Sequence, residues 1–140
     1  MRLDIVLRVA AKLILPLMLV FALYVQFHGD YGPGGGFQAG AIAAGAVILY
    51  GLVYGLSAAQ RLVPVAAVET MVPLGVLVFA AVGVAGLLLG DNYLDYDKLA
   101  HDAVHGQEWG VFLVEAGVFI TVFSTMLAIF YAFAGRGIKE

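Results

Sequence analysis

The chain has 140 residues, of which 63% are hydrophobic and 12% charged, and its mean hydropathy is +0.99. A soluble domain of this size leaves roughly a third of its unfolded surface in water, so a soluble fold cannot hide this much apolar surface and lipid is the solvent for most of the chain. The lack of cysteine excludes disulfides, thiolate metal sites and CxxC redox motifs, no cofactor is implied, and a net charge of −3 argues against a nucleic-acid partner.

Four apolar runs follow in chain order, each near the length of about 20 residues that a spanning helix needs. The first goes from Val9 to Phe27, with Lys12 near its edge, and predicts a span over about 9–28. Arg2, Arg8 and Lys12 ahead of "LILPLMLVFALYV" imitate a signal peptide. No small-x-small cleavage site follows, so the segment is expected to stay. The second run, Phe37 to Gln60, carries no charge and predicts a span over about 37–57. The third, Thr70 to Gly90, is also uncharged and predicts 70–90; the fourth, Trp109 to Gly135, has Glu115 as its one charge and predicts 109–134. Backbone groups in lipid must be satisfied within their own segment or in a closed barrel. Runs this long without alternation exclude barrel strands. The expectation is an all-α integral membrane protein of four transmembrane helices, forming one membrane domain over residues 1–140.

Positive charge orients it. Arg2, Arg8 and Lys12 precede the first span, Arg61 lies between the second and third, and Arg136 and Lys139 follow the fourth. The segment 29–36 has no Lys or Arg, and the segment 91–108 has Lys98 against Asp91, Asp95, Asp97, Asp102 and Glu108. Four crossings then put both termini in the cytoplasm and the two other loops outside. The acidic outer loop could concentrate cations.

Small residues suggest how the helices pack, because in lipid close backbone approach replaces the hydrophobic drive. "GLVYG" (51–55) and "GLLLG" (86–90) occur in the second and third spans. In the fourth, Gly110, Gly117, Thr121, Ser124 and Ala128 form one stripe, with Glu108 and Glu115 on roughly the opposite face. Packing within the chain accounts for one such stripe; stripes on three helices point to partner subunits.

Between the first two spans stands "HGDYGPGGGFQAG" (28–40). A phosphate-binding loop needs Lys and Ser/Thr after its glycines; here Phe37 and Gln38 follow. Pro33 stops helical continuation, and Gly34, Gly35 and Gly36 permit positive φ and remove side chains that would clash before Phe37. The free N–H groups that open the next helix could face a neighbouring backbone, a water or an anionic group. An ordinary solvent-exposed turn is the alternative.

"HGDYGPGGGFQAGAIAAGAVILYGLVYG" (28–55) resembles the signature of the MnhB/MrpB-like subunit of the Mrp-type multisubunit Na⁺/H⁺ antiporters, a domain type that recurs in membrane-bound hydrogenase complexes. His28-Gly29, Pro33 to Gln38 and Gly40 carry the resemblance, and it extends in outline over nearly the whole chain, including the Glu69-Thr70 start of the third span. The resemblance implies a small subunit in a prokaryotic plasma membrane, not an enzyme, whose partners are the other subunits of the hetero-oligomer. It also implies a complex that exchanges external H⁺ for internal Na⁺ and shares ancestry with the membrane arm of respiratory complex I. The proton channels of such complexes belong to larger subunits with buried Lys/Glu pairs. No Lys lies deep in a span here, so this chain cannot build that relay alone.

Glu115, Glu69 and His28 are the ion-path candidates. Glu115 lies about 9 Å inward from Trp109 by helical rise, where a carboxylate is costly and by default functional. A structural hydrogen bond or escape to water are its other readings. Glu69 at a helix start suits the dipole and is more simply a cap. Asp97, His101 and His105 are weak metal candidates at i, i+4, i+8, against a short interfacial helix with solvated side chains. Two other classes stay open: a stand-alone small four-helix cation or drug transporter, and a non-transporting assembly factor.

Overall fold

The computed structural model describes residues 2–29, 32–90, 92–96, 99 and 101–136. Among them the chain is helical, and four helices are long and apolar enough to cross a membrane. The protein is therefore a multi-pass, all-α membrane protein.

Helix α1 runs Arg2–His28. It starts well before the apolar run because "RLDIVLR" holds no helix breaker and places Asp4 in the first turn, where a carboxylate favours the dipole. Helix α2, Gly36–Tyr54, ends earlier than its apolar run because Gly55 turns to φ 101° and starts the short α3, Leu56–Leu62. Val63 is extended and Pro64 stands at the N-cap of α4, Val65–Leu88, so this helix begins a turn ahead of the expected span. Gly90, at φ 87°, follows its end. Helix α5, Ala103–Gly135, is the longest at 33 residues and begins before Trp109. The two in-helix prolines, Pro16 and Pro73, withhold the usual donor from the carbonyls of Lys12 and Glu69.

The spans form an open row in the order α1, α2, α5, α4. Helix α1 is antiparallel to α2: the Tyr54 hydroxyl donates to the carbonyl of Arg8 at 2.6 Å. Helix α2 is parallel to α5, with Gly36 against Glu115, Gly40 against Phe119 and Gly51 against Phe130. Helix α4 is antiparallel to α5, with Gly75 against Gly117 and Val68 in one cluster with Leu127 and Tyr131. The start of α1 and the end of α5 therefore share one end of the row, and the turn after α1 and the loop before α5 share the other.

Backbone contact between small residues holds the row together. A Cβ on Gly75 would lie 2.7 Å from the Gly117 carbonyl, and one on Gly117 would lie 3.0 Å from that of Gly75. A Cβ on Gly40 would lie 2.8 Å from the Phe119 carbonyl. Thr121 and Ser124 return their hydroxyls to their own helix, at Gly117 (2.9 Å) and Ile120 (2.6 Å), which leaves neither hydroxyl to face lipid. A buried apolar cluster, Val47, Ala59, Val68, Leu127 and Tyr131, sits at the terminal end of the row. There the Tyr131 hydroxyl donates to the carbonyls of Ala59 (3.1 Å) and Val63 (2.9 Å), which fastens α3 to α5.

This geometry gives most of the predicted small-residue positions a neighbour within the chain. Gly117 and Thr121 of the α5 stripe pack on α4, Gly110 packs on the Tyr96 ring, Gly51 packs on Phe130 and Ala59, and Gly86 packs on the backbone at Asp95. These small residues find neighbours inside the chain, whereas Gly55 meets nothing within 4 Å. The large apolar residues do project outward, among them Leu13, Leu17 and Val20 of α1.

Candidate functional site

The turn after α1 folds back so tightly that each glycine faces a neighbour. A Cβ on Gly34 would lie 2.9 Å from the carbonyl of Val25, and one on Gly29 would lie 3.1 Å from the backbone of Gly35. Gly35 is the N-cap of α2 at φ 136°, a backbone state that side chains disfavour. Its carbonyl accepts from Ala39 N–H at 3.0 Å. No side chain caps this helix in the usual N-cap position. The first N–H groups of α2 are therefore donors that the helix itself does not use.

Glu115 of α5 sits against this turn. One carboxylate oxygen lies 2.9 Å from where a Cβ on Gly35 would stand, and the other lies 3.1 Å from that position on Gly29. A Cβ on Gly36 would collide with the Glu115 carbonyl itself. The glycines make room for a carboxylate and for the helix that carries it. The occupant belongs to the same chain, and it lies by the positive end of α2, where an anion is favoured. The two features that the sequence offers separately, the glycine turn and the one charge of the fourth apolar run, form one site. Helix α2 has 19 residues, or about 28 Å of rise, close to the hydrocarbon thickness of about 30 Å. Glu115, level with Gly36, then lies at the membrane boundary, shallower than the depth counted from Trp109.

Of the other turn residues, Pro33 and Phe37 are exposed. His28 ends α1, its ring stacked on Tyr24 at 5.2 Å, and its Nε2 lies 3.1 Å from where a Cβ on Gly32 would stand. His28 thus borders the same turn. Glu69 does not. It is exposed, lines a hollow with Ala128 and Tyr131, and lies about 20 Å further along α5 than Glu115 at about 1.5 Å per residue. It is not the N-cap either, since Pro64 holds that place and Glu69 lies beyond the first turn.

The loop candidates separate. Asp97 lies outside the described residues. His101 precedes the first residue of α5, so it shares no helical face with His105, whose Nδ1 lies 3.7 Å from Asp102 in an exposed pair. Among the described residues, no three His, Cys, Asp or Glu side chains gather as a metal site would require. What orders the loop is aromatic docking. The Tyr93 ring fills the space at Gly83 and the Tyr96 ring the space at Gly110, with Leu94 between them at φ 63°. Burial, and after it the neighbouring Tyr93, pushes the Tyr96 phenol above its ordinary value.

One polar residue beside the turn escapes a reading based on charge. Gln26 of α1 is 8% exposed, and neither of its amide atoms finds a hydrogen-bond partner among the described residues. The signal was a single amide within an otherwise apolar run.

Comparison with known proteins gives consistent matches. Residues 6–128 match the family described as a domain related to the MnhB subunit of Na⁺/H⁺ antiporters. The Na⁺/H⁺ antiporter B-type subunit of Alkalihalophilus pseudofirmus is 28% identical over 133 residues, which covers 88% of this chain and 92% of that protein. The protein of the same name from Bacillus subtilis is 28% identical over 135 residues, again 88% of this chain and 92% of the relative.

Proposed function

The chain belongs to the family of domains related to the MnhB subunit of Na⁺/H⁺ antiporters, and from this premise we propose that it is a small membrane subunit of a multisubunit Na⁺/H⁺ antiporter. It works in the cell membrane as one unit over its whole length, with both termini in the cytoplasm and the glycine turn outside. Its partners are the larger subunits of that complex, and the exchanged ions are Na⁺ and H⁺. Two relatives named as B-type antiporter subunits, each matched over nearly its full length, support this reading. The orientation follows from Arg8, Lys12, Arg61 and Arg136, all on elements at or near the terminal end of the row.

The observation that carries a role beyond scaffolding is the seat of Glu115 in the turn. A carboxylate held at the boundary of the membrane, against backbone and beside a helix amino end, is a group that can take and release a proton or meet a cation. Glu115 is the first ion-path residue in this reading and His28, on the rim of the same turn, the second. Glu69 lies at the opposite end, on the cytoplasmic side.

Purification of the full chain from its own membranes in mild detergent tests the subunit reading. A stable assembly with larger membrane proteins in fixed ratio is expected. A homodimer that transports on its own would overturn it in favour of a stand-alone transporter, and a monomer that only transiently meets the complex would make it an assembly factor.

A further inference from the structure

We infer that Gln26 and Glu115 line one hydrated site at the amino end of α2, where a bound water spans the Gln26 amide and the Glu115 carboxylate and carries that carboxylate's proton exchange with the outer side. The inference deepens the antiporter-subunit reading and rests on it.

The register of α1 and α2 places the two residues at one level. The Tyr54 hydroxyl bonds the Arg8 carbonyl, and Lys12, Leu15 and Pro16 line a groove with Ala46, Val47 and Tyr50. Carried along the antiparallel pair, this register sets Gln26 beside Gly36, the first residue of α2. Glu115 reaches the same point from α5, with its carbonyl at Gly36 and its carboxylate at Gly35 and Gly29. Gly29 itself lies three residues after Gln26, just past the end of α1.

The buried amide supplies the second, independent argument. A donor and an acceptor withdrawn from water with no partner are each destabilising. Both amide atoms are closed off by the chain itself, so bulk water does not relieve that cost. An apolar residue of the same size would remove the cost at once, so the amide has a use. A buried water needs two to four polar partners. The Gln26 carbonyl and NH₂ offer an acceptor and donors, the carboxylate offers acceptors, and the first N–H groups of α2 offer further donors. Such a water gives a proton to a carboxylate oxygen as it takes one from the outer side, and the reverse sequence restores the site. The titratable groups around the site are Tyr24 and His28 on α1 and Glu115 on α5, with Glu108 farther out on an exposed turn. Helix α2 brings no acidic or basic residue in its first turn. Asp30 and Tyr31 of the turn lie outside the described residues.

The test uses the whole complex, purified with either the wild-type chain or Gln26→Leu and reconstituted into vesicles. Leu keeps the volume and removes both unpaired atoms, so the variant complex should assemble and melt at or above the wild-type temperature. Its Na⁺-driven proton exchange should fall several-fold with a displaced pH midpoint. Gln26→Asn should recover part of the rate, and in a Glu115→Gln background Gln26→Leu should have no further effect. Wild-type rate and pH midpoint in Gln26→Leu would overturn the inference alone. A complex that melts lower or fails to assemble would also overturn it, because the amide would then be a structural bond. No exchange with the wild-type chain would overturn the antiporter reading and this inference with it.

Discussion

Gly35 and Glu115 carry most of the argument at the scale of single residues. Gly35 combines two constraints that usually occur apart, a φ of 136° and a carboxylate oxygen 2.9 Å from the place of a side chain. Gly35→Val meets both. The strained backbone alone costs roughly 1–3 kcal/mol, and the methyl groups displace Glu115. The variant should insert in the membrane, show a lower melting temperature in detergent and lose exchange; an unchanged melt and unchanged exchange would reduce the turn to an ordinary connection. Glu115→Gln separates charge from shape. It keeps the volume and the hydrogen-bonding reach and loses the titration. Assembly should persist while the pH dependence of exchange flattens or moves, with Glu115→Asp keeping part of the activity. If Gln behaves as wild type and only Ala disrupts assembly, the residue is a structural hydrogen bond. Little of this junction was legible in the sequence. The glycine triplet signalled space without naming its occupant, and the carboxylate signalled cost without naming its seat. The two lie far apart along the chain, and helix rotation, which no local pattern encodes, brings them together. Gln26 was less legible still, because an amide is invisible to a search for charge.

At the scale of elements, the α4–α5 crossing depends on Gly75 and Gly117, whose backbones touch. Gly75→Val would drive a branched side chain into the Gly117 carbonyl and Thr121. Overpacking of this kind costs roughly 1–3 kcal/mol, and the melting temperature should drop accordingly, whereas Gly45→Ala, inside α2 with nothing within 4 Å, should not lower it. Apolar length made the four spans readable in advance. Their ends were less so. Helix α2 stops at Tyr54 because Gly55 takes positive φ, and α3 then follows as a separate short helix, although the uncharged run continues through it to Gln60. Hydropathy reports the solvent of a segment and says nothing of a bend within it. The row order α1, α2, α5, α4 was also beyond a pattern reading, since small residues mark a face for close packing without saying which helix meets it.

The whole molecule is an open row whose flanks are apolar. Lipid or neighbouring subunits must cover them, and for a chain of this family the neighbours are the partners of the proposed antiporter. Orientation is tested simply. A reporter fused after α5 should read as cytoplasmic, because the positive charges gather at that end; an external signal would reverse the placement of the turn and of Glu115. The most direct measurement for the central claim is Na⁺-driven proton exchange in membrane vesicles from cells that lack this chain but keep the larger subunits, with and without the chain restored. The account predicts that exchange is absent without the chain, returns with the wild-type chain, and does not return with Gly35→Val. Full exchange in vesicles that lack the chain would contradict it.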